Sequence, residues 1–427
     1  MFKVLKNLKE SWISVIAIVL LLVVQAAGDL TLPDYTSKIV NVGIQNGGIE
    51  NVAPDVIRKS EMENLLIFTE DDDKILASYE EISKEDLDSE EYEKLVKKYP
   101  ALENETLYRI KKISKSEQDE LDSLMAKPLM MLSTTKQMPK EQIDKMLETV
   151  NQKLDDMQES ILEQAAIQEV KNEYKAIGID TDSIQNQYII MAGLKMLGIS
   201  LIIMISAISI MCLSARVAAR LAKTLREKVF KKVLSFSNKE FSEYSTASLI
   251  TRSTNDIQQI QGLIAILFRV VVYAPIIGIG GFLRVLSQSD NSMAWIIGVA
   301  ILAILFVVAT LFIIAMPRFK KLQQLIDKLN LVTREILTGL PVIRAFNTEK
   351  KEEKRFDKAN IDLTKTNLFV NRAMSFMMPM LMLIMNGISL LIVWVGAHGI
   401  DAGTMQVGNM MAFIQYTMQI VMSFLMI

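Results

Sequence analysis

Six long apolar runs dominate the chain, and polar segments of very different length separate them. The runs cover residues 12–32, 189–213, 262–286, 293–316, 373–395 and 407–427. A helix of about 20 apolar residues crosses the hydrocarbon core of a bilayer. The pattern therefore predicts an all-α polytopic membrane protein with six long transmembrane helices. For the first run a signal peptide is the alternative, because basic residues precede it and Ala26-Ala27-Gly28 follows its apolar core.

Two polar segments between the runs are too long and too regular to be simple linkers. They cover residues 214–261 and 317–372, and they are rich in helix-forming residues. If each arm of such a segment is ~20 helical residues, its tip stands ~30 Å from the membrane. Both segments are therefore predicted to be helical hairpins that leave the membrane and return.

The tip of the second hairpin carries an apolar group. Gly339 and Pro341 predict a turn, because Gly loosens a helix and Pro starts the next one. Val342, Ile343 and Phe346 follow at once. Clustered apolar residues on a solvated tip usually mark an interaction surface. The first hairpin has a comparable aromatic tip at residues 237–244, with Phe236 beside it.

Charge is divided sharply along the chain and orients the helices. Residues 34–188 hold 34 acidic and 19 basic residues, a net charge of −15, and the rest of the chain has a net charge of +13. The segments 1–10, 214–261 and 317–372 carry 3, 9 and 13 Lys or Arg residues. By the positive-inside rule both ends and both hairpins are cytoplasmic, and the acidic segment is extracellular.

The acidic segment, here called the insert, divides the chain into three parts. They are residues 1–33 (an elbow helix and the first span), residues 34–188 (the insert) and residues 189–427 (the remaining spans). The insert is predicted to be mainly helical. Residues 140–177 have apolar positions at alternating steps of four and three, which indicates a long amphipathic helix. Packing within the insert is preferred over an intermolecular coiled coil.

Composition excludes several classes of site and mechanism. One Cys and one His exclude a disulfide framework and a dense His/Cys metal site. Ionisable residues within membrane spans usually mark ion coupling, but Asp29 and Lys195 lie near the ends of their runs. The sequence therefore argues against a proton- or sodium-driven carrier.

A few residues within the spans are candidates for a substrate cavity. Arg269, two turns into the third run, either extends to the inner headgroups or faces a cavity and attracts anionic substrates. The last two runs are rich in Met, a flexible side chain common on promiscuous surfaces. From them we select Met378, Asn386, Gln415 and Gln419; ordinary helix packing accounts for most of the other Met residues.

Three ordered motifs resemble the transmembrane domain of ABC exporters of the multidrug and lipid-flippase type. The first hairpin matches at Arg226, Phe230, Phe241 and residues 248–256; the second matches at Glu335, Gly339, residues 342–346, Glu349, Arg355 and Phe356; residues 403–416 match the start of the sixth helix. The family usually has Thr-Gly where Ala247-Ser248 stands here. The resemblance covers residues 1–33 and 189–427, and the long insert resembles one subunit of certain heterodimeric exporters.

The resemblance implies partners and roles that the residues alone do not name. In ABC exporters the two cytoplasmic tips are coupling helices that dock into ATPase domains, which bind ATP and Mg. Carried over, the coupling residues are Phe241, Ser242, Tyr244, Leu340, Val342, Ile343, Arg344 and Phe346. The 427 residues contain no G-x-x-x-x-G-K-[ST] segment, so we expect the ATPase domain outside them. The last apolar run reaches Ile427 without a basic flank, so we expect the sixth span to continue past residue 427.

Two functions of different class remain open. The first is the permease portion of an ATP-driven exporter in the cell membrane, moving amphipathic drugs, lipids or peptides outward by alternating access with a second, different subunit. The second is a membrane receptor or scaffold that senses a ligand through the acidic insert.

Overall fold

The computed structural model describes residues 11–69, 71–83, 88–135, 159–237, 239–240, 244–286 and 293–425. In chain order its helices are α1 (Trp12–Lys38), α2 (Lys59–Leu66), α3 (Asp72–Ala77), α4 (Ser89–Lys98), α5 (Lys115–Thr135), α6 (Glu159–Ile177), α7 (Thr181–Leu234), α8 (Thr246–Ser253), α9 (Asn255–Leu267), α10 (Tyr273–Leu286), α11 (Ala294–Thr338), α12 (Leu340–Ala345), α13 (Glu349–Asp401) and α14 (Val407–Leu425). A π-helical segment, Ile39–Gln45, extends α1, and another, Phe268–Val272, joins α9 to α10. Pro100–Glu103 is a short 3-10 helix.

Within the described residues, each predicted apolar run lies on a helix. Five helical stretches in the described residues are long and apolar enough to cross a membrane: Trp12–Gln45, Thr181–Leu234, Thr246–Leu286, Ala294–Thr338 and Glu349–Asp401. The sixth run is α14, which carries Asn409, Gln415 and Gln419 and is therefore less apolar. One face of α14 is buried at Phe413, Tyr416 and Ile420.

Three helices run far beyond the length that a membrane needs. α7 has 54 residues, α11 has 45 and α13 has 53. At ~1.5 Å per residue a helix of 54 residues is about 80 Å long. The prediction that the polar segments continue the spans as helical arms is confirmed for α7, α11 and α13.

The long helices pack in two groups that α14 connects. α1 lies against α7, α10 and α14, while α11 and α13 pack along each other. α14 also contacts α11 and α13. Ile277, Ile296, Ile392, Phe413 and Tyr416 belong to the largest apolar cluster of this bundle. The first span is thus fixed to the third and sixth by one continuous core.

The insert is an α+β subdomain, not a purely helical one. Its strands are β1 (Val56–Arg58), β2 (Tyr79–Ile82) and β3 (Leu107–Ile110), which form an antiparallel sheet of order β1-β3-β2. Ile57 pairs with Tyr108, and Glu80 pairs with Arg109. The sequence analysis did not predict this sheet. Of the predicted helix over residues 140–177, the structure describes α6, and residues 136–158 lie outside the described residues.

The insert has a core and a buried ion pair of its own. Ile57, Met62, Leu65 and Met125 are completely buried in it. Glu173 is 2% exposed and accepts two hydrogen bonds from the Arg58 guanidinium, 2.9 Å to Nε and 2.7 Å to Nη2. The hydrogen bond to this carboxylate raises the pKa of Arg58. Burying a charged group costs much less free energy when the group is paired and hydrogen-bonded than when it is isolated.

Two glycines place the insert against the start of α7. Gly47 and Gly48 have φ of 64° and 83°, the left-handed region that favours glycine. A Cβ at Gly48 would lie 2.8 Å from the Cα of Gln185 on α7. After the π-helical extension of α1, the backbone therefore turns in close contact with the start of α7.

Candidate coupling tips and interhelical polar site

The second tip is a short helix between two tight turns. The Gly339 N–H donates to the Glu335 carbonyl at 2.9 Å and ends α11. The N–H groups of Val342 and Ile343 return to the Gly339 carbonyl, both at 3.0 Å, and begin α12. α12 ends before Asn347, which has φ of 53°. The predicted turn at Gly339 and Pro341 is confirmed.

Apolar side chains cover the second tip without forming a core. Val342 is 61% exposed and Phe346 is 75% exposed. Arg344 is also exposed, whereas Leu340 and Ile343 are half-buried. A six-residue helix has too little surface to bury these side chains itself, so the tip presents an apolar ridge with one cationic residue.

Side chains on the two arms hold the second hairpin together. Arg355 on α13 pairs with Glu335 on α11 and, at 3.4 Å, with Glu352 on its own helix. Closer to the apolar spans, the Arg318 guanidinium of α11 lies 4.7 Å from the centroid of the Phe369 ring of α13. The tip therefore lies at the end of two helical arms that contact each other through side chains at two positions along their length.

The first tip is built around an aromatic stack. The rings of Phe236 and Tyr244 lie 5.9 Å apart at an angle of 18°. The Lys232 ammonium lies over Phe236 and the Arg252 guanidinium over Tyr244. Such cation–π contacts favour a cation over the face of the ring. The stack joins the chain after α7 to the chain before α8.

Only part of the predicted first tip is described. Ser237 and Glu240 form a reciprocal cap, with the Ser237 N–H 2.8 Å from Glu240 Oε2 and the Glu240 N–H 3.3 Å from Ser237 Oγ. Tyr244 is exposed, as the prediction requires. Phe241 and Ser242 lie outside the described residues.

Two carboxylates of α1 tie the first, third and sixth spans together. Asp34 accepts hydrogen bonds from Arg284 of α10 and from the Tyr416 hydroxyl of α14. Asp29 accepts a hydrogen bond from the Tyr273 hydroxyl of α10. These partners are 250, 382 and 244 positions apart along the chain. By sequence, Asp34 was assigned to the insert, and this site was not predicted.

A second polar cluster lies next to this site. Ser37 Oγ and Asn41 Nδ2 donate to Asn409 Oδ1 at 2.8 and 3.1 Å, and the Gly408 N–H donates to Asn41 Oδ1 at 2.7 Å. A Cβ at Gly408 would lie 2.5 Å from the Ser37 carbonyl oxygen. Glycine at position 408 therefore permits the start of α14 to approach the end of α1 closely.

The predicted cavity residues do not all share one environment. Gln419 Nε2 donates to the Asp29 carbonyl at 2.9 Å, so Gln419 belongs to the interface with α1. Met378 and Asn386 lie on an exposed face of α13 that also carries Met374 and Met382, at helical steps of four. Gln415 is half-buried on a face of α14 with Met411, Met418 and Met422. Arg269 lies in the Phe268–Val272 segment, and its side chain is outside the described residues.

The family comparison covers most of this bundle. The model of the ABC transporter transmembrane region matches residues 143–424. This chain belongs to that family. Both hairpins, the second to fifth spans and nearly all of the sixth lie within the matched residues, so the predicted membrane class and the broad resemblance to ABC transporters are confirmed.

Curated relatives are ABC transporter proteins of greater length. The chain is 36% identical over 242 residues to an uncharacterized ABC transporter ATP-binding protein of Mycobacterium bovis, covering 56% of this chain and 41% of the relative. It is 32% identical over 233 residues to one of Bacillus subtilis, covering 53% and 40%. It is 29% identical over 208 residues to an ATP-dependent lipid A-core flippase of Pseudomonas aeruginosa, covering 47% and 33%. The chain spans about two-fifths of the first two relatives and a third of the flippase.

Proposed function

We propose that this ABC transporter chain is the permease portion of an ATP-driven exporter that moves amphipathic drugs, lipids or peptides outward by alternating access. The exposed apolar ridge of the second tip carries the proposal. It lies at the end of two linked helical arms that continue into membrane-length helices. A force applied at the tip is therefore transmitted along α11 and α13 into the bundle.

The partner at the tips is an ATPase domain that binds ATP and Mg. Phe241, Ser242 and Tyr244 of the first tip and residues 340–346 of the second tip supply the contact. Apolar and aromatic anchors with an Arg among them are typical of interface hot spots. The names of the relatives include ATP-binding proteins and an ATP-dependent flippase, which supports this assignment.

The orientation places the tips in the cytoplasm and the insert outside the cell. The net charge of −15 in residues 34–188 and the 22 basic residues of the two hairpin segments support it. One insert over the outer end of the bundle leaves little room for a second, so the partner subunit is a different chain. Purification as a stable, active homodimer contradicts that part of the proposal.

The substrate path lies between the exposed faces of α13 and α14. Met378 is 55% exposed, Asn386 and Met382 share its face, and Gln415 lies among Met residues on α14. Flexible thioethers adapt to different apolar bodies, and neutral amides supply hydrogen bonds without a charge to desolvate. Arg269 is assigned to the same path as a site for anionic substrates.

The test uses the full-length gene product, co-expressed with its neighbouring subunit in membrane vesicles. ATP hydrolysis is measured with a panel of hydrophobic cations, lipids and peptides, and Met378→Cys and Gln415→Cys are labelled with maleimides. We expect stimulation by some of the panel, and protection of both cysteines by the same compounds. An absence of stimulated hydrolysis contradicts export and favours the receptor or scaffold function, for which the folded insert provides a domain.

A further inference from the structure

A cavity of about 370 Å³ lies where the insert meets the start of α7. Its walls come from the segment after α1, from α4, from α6 and from α7. We call it the insert pocket; its lining includes Glu50, Asp55, Lys98, Tyr99, Tyr174 and Tyr188. Its volume is within the range of about 300–1,000 Å³ of small-molecule sites.

Aromatic and aliphatic side chains form much of the wall of the insert pocket, and two of its tyrosine rings are held in place by burial. Tyr99 and Tyr174 are each 6% exposed and belong to separate apolar clusters of the insert. The Tyr174 hydroxyl oxygen accepts the N–H of Asp55 at 2.8 Å. Burial raises the pKa of Tyr174, so its phenol stays neutral at physiological pH. The rings therefore form a preformed apolar surface.

Charge in the insert pocket favours a cation. Glu50 and Asp55 contribute two carboxylates, and Lys98 contributes one ammonium, which lies 5.0 Å from the centroid of the Tyr99 ring. Within the described residues neither carboxylate has a hydrogen bond or ion pair, and both residues are exposed. The side-chain amides of Asn51 and Gln187 add neutral polar groups.

We propose that the insert pocket binds a small amphipathic monocation. Its apolar body lies against the tyrosine and isoleucine side chains, and its ammonium lies between the carboxylates of Glu50 and Asp55. Tyrosine rings attract cations through their faces, and a carboxylate strengthens a hydrogen bond from an ammonium. The site is separate from the transport path, and its occupation does not require ATP hydrolysis.

A bound cation contacts both connections between the insert and the bundle. Glu50 and Asp55 follow the first helix, whereas Ile184 and Tyr188 are in the first turns of α7, the second span. An occupant therefore bridges the segment that leaves one span and the helix that begins the next. We expect it to protect amides of both segments from hydrogen exchange.

The test measures binding to the full-length protein in lipid nanodiscs by saturation-transfer NMR. Three probes share a phenyl body: phenethylammonium, 2-phenylethanol and 3-phenylpropanoate. We expect the cation to bind most tightly and the anion least. The double variant Glu50→Gln, Asp55→Asn lowers the affinity for the cation by about tenfold, because hydrogen bonds to charged groups are lost, and leaves that for the alcohol within about twofold.

The controls separate this site from the fold and from transport. Glu93 is an exposed residue of α4 that does not line the pocket. Glu93→Gln makes the same carboxylate-to-amide change there, and we expect it to leave the affinities for all three probes unchanged. Tyr188→Ala weakens the cation and the alcohol together. Preference for the anion, equal binding of all three probes, no binding by any of them, or an unaffected double variant overturns the proposal. Because binding is measured without ATP, it stands or fails independently of stimulated hydrolysis.

Discussion

The insert and the second tip use apolar residues in opposite ways. Met62 and Leu65 of the insert are completely buried, whereas Val342 and Phe346 at the tip are 61% and 75% exposed. The insert brings a sheet and several helices around two buried apolar clusters, and the tip offers a helix of six residues. The insert is therefore stable through its own contacts, and the tip keeps its apolar surface for another molecule.

The largest expected effect is in the insert, at the buried ion pair. Arg58→Met leaves Glu173 as an uncompensated carboxylate that is 2% exposed. We expect the free energy of unfolding of the insert to fall by about 3 kcal/mol, which hydrogen exchange of its amides measures.

The matched control for that change is an exposed pair in the same subdomain. The side chains of Lys59 and Glu81 are 43% and 45% exposed and lie 2.9 Å apart. Lys59→Met therefore lowers the unfolding free energy far less than Arg58→Met does. Equal losses for Arg58→Met and Lys59→Met contradict the assignment of stability to the buried pair.

An intermediate effect is expected in the bundle, where α14 approaches α1. Gly408→Ala places a methyl group against the Ser37 carbonyl and the Asn41 side chain, and overpacking of this kind costs about 1–3 kcal/mol. Thermal unfolding in detergent measures the loss. Gly298→Ala on α11 is the control, since no atom of another helix lies within 4 Å of the added methyl group. If Gly298→Ala lowers the thermal stability more than Gly408→Ala does, the contact between α14 and α1 is not close-packed.

The smallest expected effect is at the arms that carry the second tip. Arg355 and Glu335 are 49% and 45% exposed, so solvent screens the pair and Arg355→Gln lowers the stability of the hairpin only slightly. Hydrogen exchange of the amides in α12 and the adjacent turns measures this change. A loss as large as that of Arg58→Met shows that the hairpin depends on this pair, and the contrast between insert and tip is then wrong.

The sequence predicted what depends on local pattern. Apolar runs located the membrane-length helices, and Gly339 with Pro341 located the turn at the second tip, because both signals involve neighbouring residues. The sheet of the insert was missed, since its strands have only three or four residues and carry Glu80, Glu81 and Arg109. Strands this short show no clear alternation.

Contacts between distant residues escaped the sequence analysis for a different reason. Asp34, Arg284 and Tyr416 look ordinary in their local surroundings, and only the packing of α1, α10 and α14 brings them together. Gln419 was selected for a cavity by its residue type, and the structure instead places its amide nitrogen against the Asp29 carbonyl. Residue type indicated a polar function here but not its partner.

The most direct test of the account compares Phe346→Ala with Phe282→Ala in the full-length transporter with its partner subunit. Phe282 is an exposed aromatic on α10, two residues before Arg284, and belongs to neither tip. We predict that Phe346→Ala leaves thermal stability unchanged but lowers substrate-stimulated ATP hydrolysis by about tenfold, as loss of an interface anchor does, while Phe282→Ala stays within about twofold. Full stimulation in Phe346→Ala contradicts the proposal that the second tip couples this chain to an ATPase domain.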